Sequence, residues 1–382
     1  MKPDSKKFIR RIIGFTLPYI AVATFTVVIF YRSGEIFWMR KTLNAQITER
    51  RNFIYSSAYT NIPHHFKLAA VEMAKPQVLS LGSSRVLQMR AGFFNDTVSF
   101  YSAGGVFKRL EQLRAFLQAL PEEALPKTIL LAIDPWWFNA NYTGGKPTAT
   151  DMNYDEYILA DDLEALFDWQ KFYVDWWNGK INLKKIWRND YKNFAWFGIG
   201  ARMNHEGYRK DGSRFYGSLL TDKTARINRI RNAVVSAQKN EGIMKWSTEI
   251  DKTELNELRL LLRFCDKHKI NVTGFLPPVA ERVLIQINKM PEHYPHFLQL
   301  NNFLYPIFRD YGFRIYDFTK VESFGSNYDE MVDGVHGSEK CNLRLYLQLL
   351  RKDIYLNQYS DSTYLKSRLE TAKGNFEVFG NH

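Results

Sequence analysis

Two cysteines, Cys265 and Cys341, are too few for a disulfide scaffold or a four-cysteine zinc site. On sequence alone they are either two buried thiols or one bridge. No Walker loop is present and no Gly-x-Gly-x-x-Gly opens a helix, which removes the common phosphate- and dinucleotide-binding loops. His64-His65 and the pair His293 and His296 lack a carboxylate or thiol at a spacing that completes a metal site. No internal repeat is visible. The net charge of +12 resembles a nucleic-acid signal until it is located. The first fifty residues hold nine Lys/Arg against three Asp/Glu, half of the excess, and the other half is dispersed. Phosphate binding needs a clustered stripe, so nucleic acid is not an expected partner. With 45% apolar and 24% charged residues, the 382-residue chain has the composition of one large globular domain or two smaller ones.

A single long apolar run stands out. Ile12 to Tyr31 carries no charge and, at 1.5 Å per residue, extends about 30 Å, the thickness of a bilayer's hydrocarbon core. Lys2, Lys6, Lys7, Arg10 and Arg11 precede it, so the positive-inside rule keeps the amino terminus cytoplasmic and exports the chain beyond Arg32. Ala21-Val22-Ala23 resembles a signal-peptide cleavage box, but the run continues past it to Tyr31, which favours an uncleaved anchor, with a kink expected at Pro18. Phe37 and Trp38, between Arg32 and Arg40-Lys41, read as an interfacial collar.

The exported part alternates strands and helices. Strands are expected at Gln77–Leu81, Val98–Tyr101, Thr128–Ile133, Ile270–Leu276 and Arg314–Phe318. Helical stripes run through Val106, Leu110, Leu113, Leu117 and Leu120, through Leu255 to Cys265, and through Leu343 to Ile354. This rhythm implies an α/β fold, a parallel sheet covered on both faces. The expected division is an anchor at 1–32, a juxtamembrane connector at 33–75 and an α/β domain at 76–382. Within that domain, residues from about 141 to 222 break the rhythm as an insertion. Its Trp169, Phe172, Tyr173, Trp176, Trp177, Trp187, Tyr191 and Trp196 suit sugar stacking, membrane contact or a small satellite core.

Open parallel sheets bind ligands beyond the carboxyl ends of their strands. Those positions hold Gly82-Ser83-Ser84-Arg85, Ser102-Ala103-Gly104-Gly105, the stretch Asp134 to Asn139, and Asp333-Gly334-Val335-His336. Ser84 is a candidate nucleophile opening a helix, where free N–H groups favour developing negative charge. His336 is its candidate base, provided the fold brings them within about 3 Å. Asp333, three residues earlier, is placed to orient the second ring nitrogen. Gly104, or its neighbour Gly105, lets an N–H approach a substrate oxygen and complete an oxyanion hole with the Ser84 N–H. Arg85, Asp134, Trp136 and Asn139 are candidates for a substrate cleft, Arg85 binding an anionic group or pairing on the surface. The polar stretch Gly207 to Ser213 reads as a solvated turn, with cleft lining as the alternative. Taken singly, Gly-Ser-Ser is ordinary turn chemistry and Asp-Gly-x-His a self-satisfied turn, with Ser338 capping the next helix.

Taken together and in this order, these blocks resemble the SGNH hydrolase family. Its Gly-Asp-Ser block falls on Gly82-Ser83-Ser84, its oxyanion glycine on Gly104, and its Asp-x-x-His block on Asp333 and His336, over roughly residues 76 to 355. The anchor, the Gly-Ser-Ser variant and the strand end Asp134-Pro135-Trp136-Trp137-Phe138 are similar to the membrane-anchored branch, which includes the D-alanine transfer protein of teichoic-acid synthesis and alginate O-acetylation proteins. The resemblance implies a three-layer sandwich of SGNH/flavodoxin-like type, at the bacterial cytoplasmic membrane with its domain periplasmic or extracellular. It implies a serine-dependent acyltransferase or esterase acting on an envelope polysaccharide, without cofactor or metal, often beside a multi-pass membrane O-acyltransferase. The other expectations are a non-catalytic glycan-binding or scaffold partner and a lipase or thioesterase. The family's third block, Gly-x-Asn-Asp, supplies an Asn donor, but here the stretch is Ala132-Ile133-Asp134-Pro135. An ionised Asp134 repels an oxyanion, and losing one donor costs about 2.7–4 kcal/mol. Either Asp134 is protonated, or Asn139 or the Trp136 indole donates instead, or turnover is slow.

Overall fold

A computed structural model of the chain describes residues 3–36, 39–48, 52–60, 63–144, 163–188, 194–220 and 222–380. Phe37 and Trp38 of the expected collar, and Tyr191 of the aromatic stretch, lie outside the described residues. The chain separates into two compact units, Met1–Ile62 with Tyr157–Tyr208, and Pro63–Glu156 with Arg209–His382.

The second unit is α/β. Val78–Leu81, Phe100–Ser102, Thr128–Ala132, Asn271–Leu276 and Arg314–Asp317 form one parallel sheet. Numbered along the chain, they lie in the order second, first, third, fourth, fifth. The first and third strands are buried at every residue, which is why both are apolar runs without alternation. Parallel strands need long crossovers, and the helices Leu110–Ala119, Lys252–Lys267, Glu281–Asn288 and Asn301–Asp310 lie within them. Asp251 starts Lys252–Lys267 by accepting from the N–H groups of Thr253 and Glu254, and the helix buries the expected stripe from Leu255 to Cys265. Ser338 caps the closing helix Glu339–Lys352 through the Cys341 N–H. Cys265 and Cys341 are free buried thiols, each pushed up to about 12 by desolvation, which excludes the bridge. The chain turns to opposite sides after the first strand, which makes the first and third strands the topological switch point of the sheet.

The first unit begins with the helix Pro3–Ser33, unbroken through Pro18. Its Lys6–Ser33 portion is long and apolar enough to cross a membrane or to serve as a signal sequence. Near its end, Ile29 and Phe30 join Tyr59, Phe172, Ile181, Ile186 and Ile199 in one apolar cluster. Phe30 stacks on Tyr59 at 5.6 Å between centroids and meets Phe172 edge-on at 5.1 Å. Just past the helix, buried Glu35 accepts from the N–H groups of Ala58 and Tyr59 and the Ser57 hydroxyl on one oxygen, and from the Ile199 N–H on the other. Asn52–Tyr55 pairs in parallel with Phe194–Phe197 and antiparallel with Gly207–Tyr208, forming a mixed sheet.

Two boundaries fall elsewhere than expected. The stretch 33–75 is not a plain connector: it holds the helix Met39–Thr48 and a paired strand, and the units divide between Ile62 and Pro63. The aromatic stretch contributes Tyr157–Tyr208 to the first unit, because Phe172, Ile181, Ile186 and Ile199 pack with the apolar helix. Removing the Glu35 carboxyl leaves the amides of buried Tyr59 and Ile199 without an acceptor, at about 1–3 kcal/mol each. Hydrogen exchange at Tyr59 and Ile199 is therefore expected to accelerate about tenfold or more in Glu35→Ala, with unchanged rates in the five-stranded sheet.

Candidate active site

Residues 252 positions apart meet at the sheet's carboxyl edge: Ser84 Oγ lies 2.7 Å from Nε2 of His336. Nδ1 of the same ring lies 2.7 Å from Oδ2 of Asp333. An ionised carboxylate only accepts, so in the neutral imidazole Nδ1 carries the hydrogen and Nε2 accepts from the Ser84 hydroxyl. Asp333 is fixed in turn, since its Oδ1 accepts from the N–H groups of Val335 and His336, both at 2.8 Å. Ser84, Asp333 and His336 remain partly exposed while most neighbouring loop residues are buried.

The electrostatics of Asp333 derive from those contacts. Burial raises its pKa, but the His336 charge and hydrogen bond and the two backbone donors outweigh it and hold the carboxyl at about 2. Ser84 does not open a long helix as expected. It begins the 3-10 turn Ser84–Val86, with Ser83 as cap, so free N–H groups rather than a macrodipole are what this turn offers. Gly104 packs directly on the turn: a Cβ there would stand 2.2 Å from a Val86 methyl and 2.7 Å from the Ser83 carbonyl. Only glycine allows that approach, and Gly105 beside it adopts φ +91°. Among the described residues, the Ser84 and Gly104 N–H groups reach no backbone acceptor.

Arg85 is neither a surface pair nor an exposed anion site. It is 3% exposed, and its guanidinium donates to the Val335 carbonyl at 2.9 Å, to Asp134 Oδ1 at 3.1 Å and to the Pro278 carbonyl at 2.5 Å. It also lies over the Trp136 ring, 5.1 Å from the centroid. One side chain thus joins the loops after the first, third and fourth strands to the loop carrying His336. Sequence spacing does not reveal this role, because a guanidinium that seeks carbonyl oxygens leaves no pattern of its own. Burial pushes the Asp134 carboxyl up and Arg85 opposes that shift, while Oδ2 of Asp134 has no partner.

The remaining cleft candidates are also corrected by burial. Asp134 and Asn139 are fully buried and Trp136 nearly so, and with Arg85 committed to loop contacts none of the four lines an open cleft. The Asn139 amide donates to the Lys245 carbonyl and faces Nε2 of His296, while its oxygen accepts from the Asn141 N–H, so it is not free to serve an oxyanion. His296 itself is desolvated, its pKa pushed down to about 3, and His293 stacks on Trp246. Arg209 to Ser213 is not a solvated turn. Asp211 accepts from Arg90 and from the Ala91 N–H, and the Gly212 carbonyl accepts from the buried Lys67 ammonium. Among the described residues no three His, Cys, Asp or Glu side chains converge as a metal would require. Compared with known proteins, the chain matches no family model and no curated protein.

Breaking a buried pair by removing one partner typically costs about 3–5 kcal/mol. Thermal unfolding of the detergent-solubilised chain is expected to show a loss of that size for Arg85→Ala, and a smaller one than the two single losses combined for Arg85→Ala with Asp134→Ala. A depressed carboxyl contributes stability that is complete above its unfolded value, 3.8, and is lost as pH falls through about 2. The stability gap between the parent chain and Asp333→Asn is therefore expected to be roughly 2 kcal/mol at pH 5 and to close near pH 2.

Proposed function

We propose that the second unit is a serine-dependent acyltransferase or esterase of SGNH type, in a three-layer flavodoxin-like sandwich. The observation that carries this reading is the unbroken chain of hydrogen bonds from Ser84 through His336 to Asp333, assembled from loops 252 residues apart. The strand order supports the fold assignment, since the same order defines flavodoxin-like sheets, whose ligands bind at the switch point where Ser84 stands.

In the proposed reaction, Ser84 Oγ attacks an ester carbonyl as Nε2 of His336 takes its proton. The oxyanion of the tetrahedral intermediate is received by the N–H groups of Ser84 and Gly104. Collapse expels the donor alcohol, which takes the proton from His336 and leaves an acyl ester on Ser84. A hydroxyl of the acceptor, or water, then gives its proton to His336 and attacks the acyl carbon, releasing the new ester or acid and restoring Ser84. Asp333 stays ionised and steadies the imidazolium in each half. Arg85 compensates the charge of Asp134, which reduces the repulsion that an unpaired carboxylate would exert on the oxyanion.

The apolar helix is read as an uncleaved single-pass anchor with the basic amino terminus cytoplasmic, so that the second unit works outside a bacterial cytoplasmic membrane on acyl esters of an envelope polysaccharide. Thr26, Ile29 and Phe30, packed inside the first unit, support retention of the helix. A multi-pass membrane O-acyltransferase fits as the supplier of the acyl group. One observation favours a second reading, a non-catalytic glycan-binding or scaffold partner of that acyltransferase: the Asn139 amide is committed elsewhere, so it supplies no donor to the hole.

A fluorophosphonate probe separates the two. Stoichiometric labelling of the parent chain is expected, falling by about 1000-fold or more in rate for Ser84→Ala and His336→Ala. A folded parent chain that takes no label fits only the scaffold.

A further inference from the structure

The apolar helix is packed on one face only near its end, where Val27, Val28 and Tyr31 stay exposed. From Ile12 to Phe25 every residue is exposed, but Thr26, Ile29 and Phe30 are buried inside the first unit. The bare stretch of fourteen residues covers only about 21 Å of the roughly 30 Å of hydrocarbon. The remaining six residues, Thr26 to Tyr31, about 9 Å of the span, have one face covered by the first unit.

The elements of the first unit that cover this face are apolar on their outer side as well. Two short helices, Glu164–Phe167 and Trp169–Trp177, run beside the apolar helix, with the Tyr173 hydroxyl 2.9 Å from that of Thr26 and the Trp176 ring 6.1 Å from Phe25. Their outer face is apolar and bare: Phe167 is 77% exposed, Val174 57% and Trp177 91%. In water, such a patch beside an apolar helix is costly, whereas aromatic side chains concentrate at membrane interfaces. Exposed Lys171, Lys180, Lys184 and Lys185 flank it, with the acids Asp168 and Asp175 nearby, and Arg32 lies over the Trp187 ring at 4.7 Å. A hollow of about 500 Å³ opens between Pro18, Val22 and Val27 of the long helix and Leu166 and Trp169. The hollow runs from Pro18 to Val27, along the bare stretch on the amino-terminal side of the first unit's contact.

We propose that the segment Glu164–Trp177 is a second, monotopic membrane element, its aromatic face sunk into the outer leaflet beside the anchor and its hollow filled by lipid acyl chains. That covered length, about 9 Å, is within the 5–10 Å depth typical of interfacial helices. This rests on the reading of the long helix as a span, and the position of the first unit against the last 9 Å or so of that apolar run is what selects lipid over a protein partner as the occupant.

The test uses the full chain in nanodiscs of phosphatidylcholine and phosphatidylglycerol, with an NBD fluorophore placed separately at Leu17→Cys and Trp177→Cys. The native cysteines are buried, and both chosen positions are exposed, so neither substitution disturbs a core. Quenching by lipids carrying a nitroxide at a shallow acyl position is compared with quenching by aqueous iodide. The expected result is loss of emission to the nitroxide at both sites, with neither responding to iodide. Nitroxide quenching at Leu17 with iodide quenching at Trp177 overturns the proposal while leaving the span intact, and frees the patch for a protein partner. Iodide quenching at Leu17 overturns the span and this proposal together. Phe167→Cys, also exposed, repeats the reading at a second point of the face.

Discussion

A single buried guanidinium ties the carboxyl end of the sheet together. Arg85 stands one residue beyond Ser84 and donates to the carbonyl one residue before His336. Ser84 and His336, whose side chains meet at 2.7 Å, are thus each adjacent in sequence to an end of the same clamp. Asp134 offsets the charge that makes the clamp possible, and Trp136 supplies its floor. A buried ion pair of this kind adds little net stability over an apolar packing, because desolvation consumes most of the attraction. What it contributes is register: an arginine with fixed carbonyl partners admits one arrangement of the loops.

Much of the second unit was legible from spacing. Continuous apolar runs marked the first and third strands because both are buried on two faces, and the stripe from Leu255 to Cys265 marked its helix because one face meets the core. Ser84, Asp333 and His336 could be singled out because the carboxyl ends of parallel strands are few and their residue types are chemically distinctive. Gly104 was singled out for close approach of its N–H to a substrate oxygen, whereas the packing shows a different demand: no side chain fits against Val86 and the Ser83 carbonyl.

The misses share a cause. Arg85, Asn139 and Arg209 to Ser213 all carry polar side chains, and polar composition alone suggests solvent. Arg85, Asn139, Asp211 and Ser213 are instead bonded internally, partly to backbone carbonyls or amides that a sequence does not display. The first unit was hidden for a different reason. Its core joins Phe30 to Phe172, and its sheet joins Asn52–Tyr55 to Phe194–Phe197, so neither segment reads as a domain by itself.

The separation of Ser84 from His336 along the chain has a consequence in time. During synthesis Ser84 emerges 252 residues before the imidazole that faces it. Until then the hydroxyl has no imidazole beside it and remains an ordinary alcohol. A chain that stops anywhere before His336 therefore keeps the serine but lacks the ring that completes its hydrogen-bonded chain.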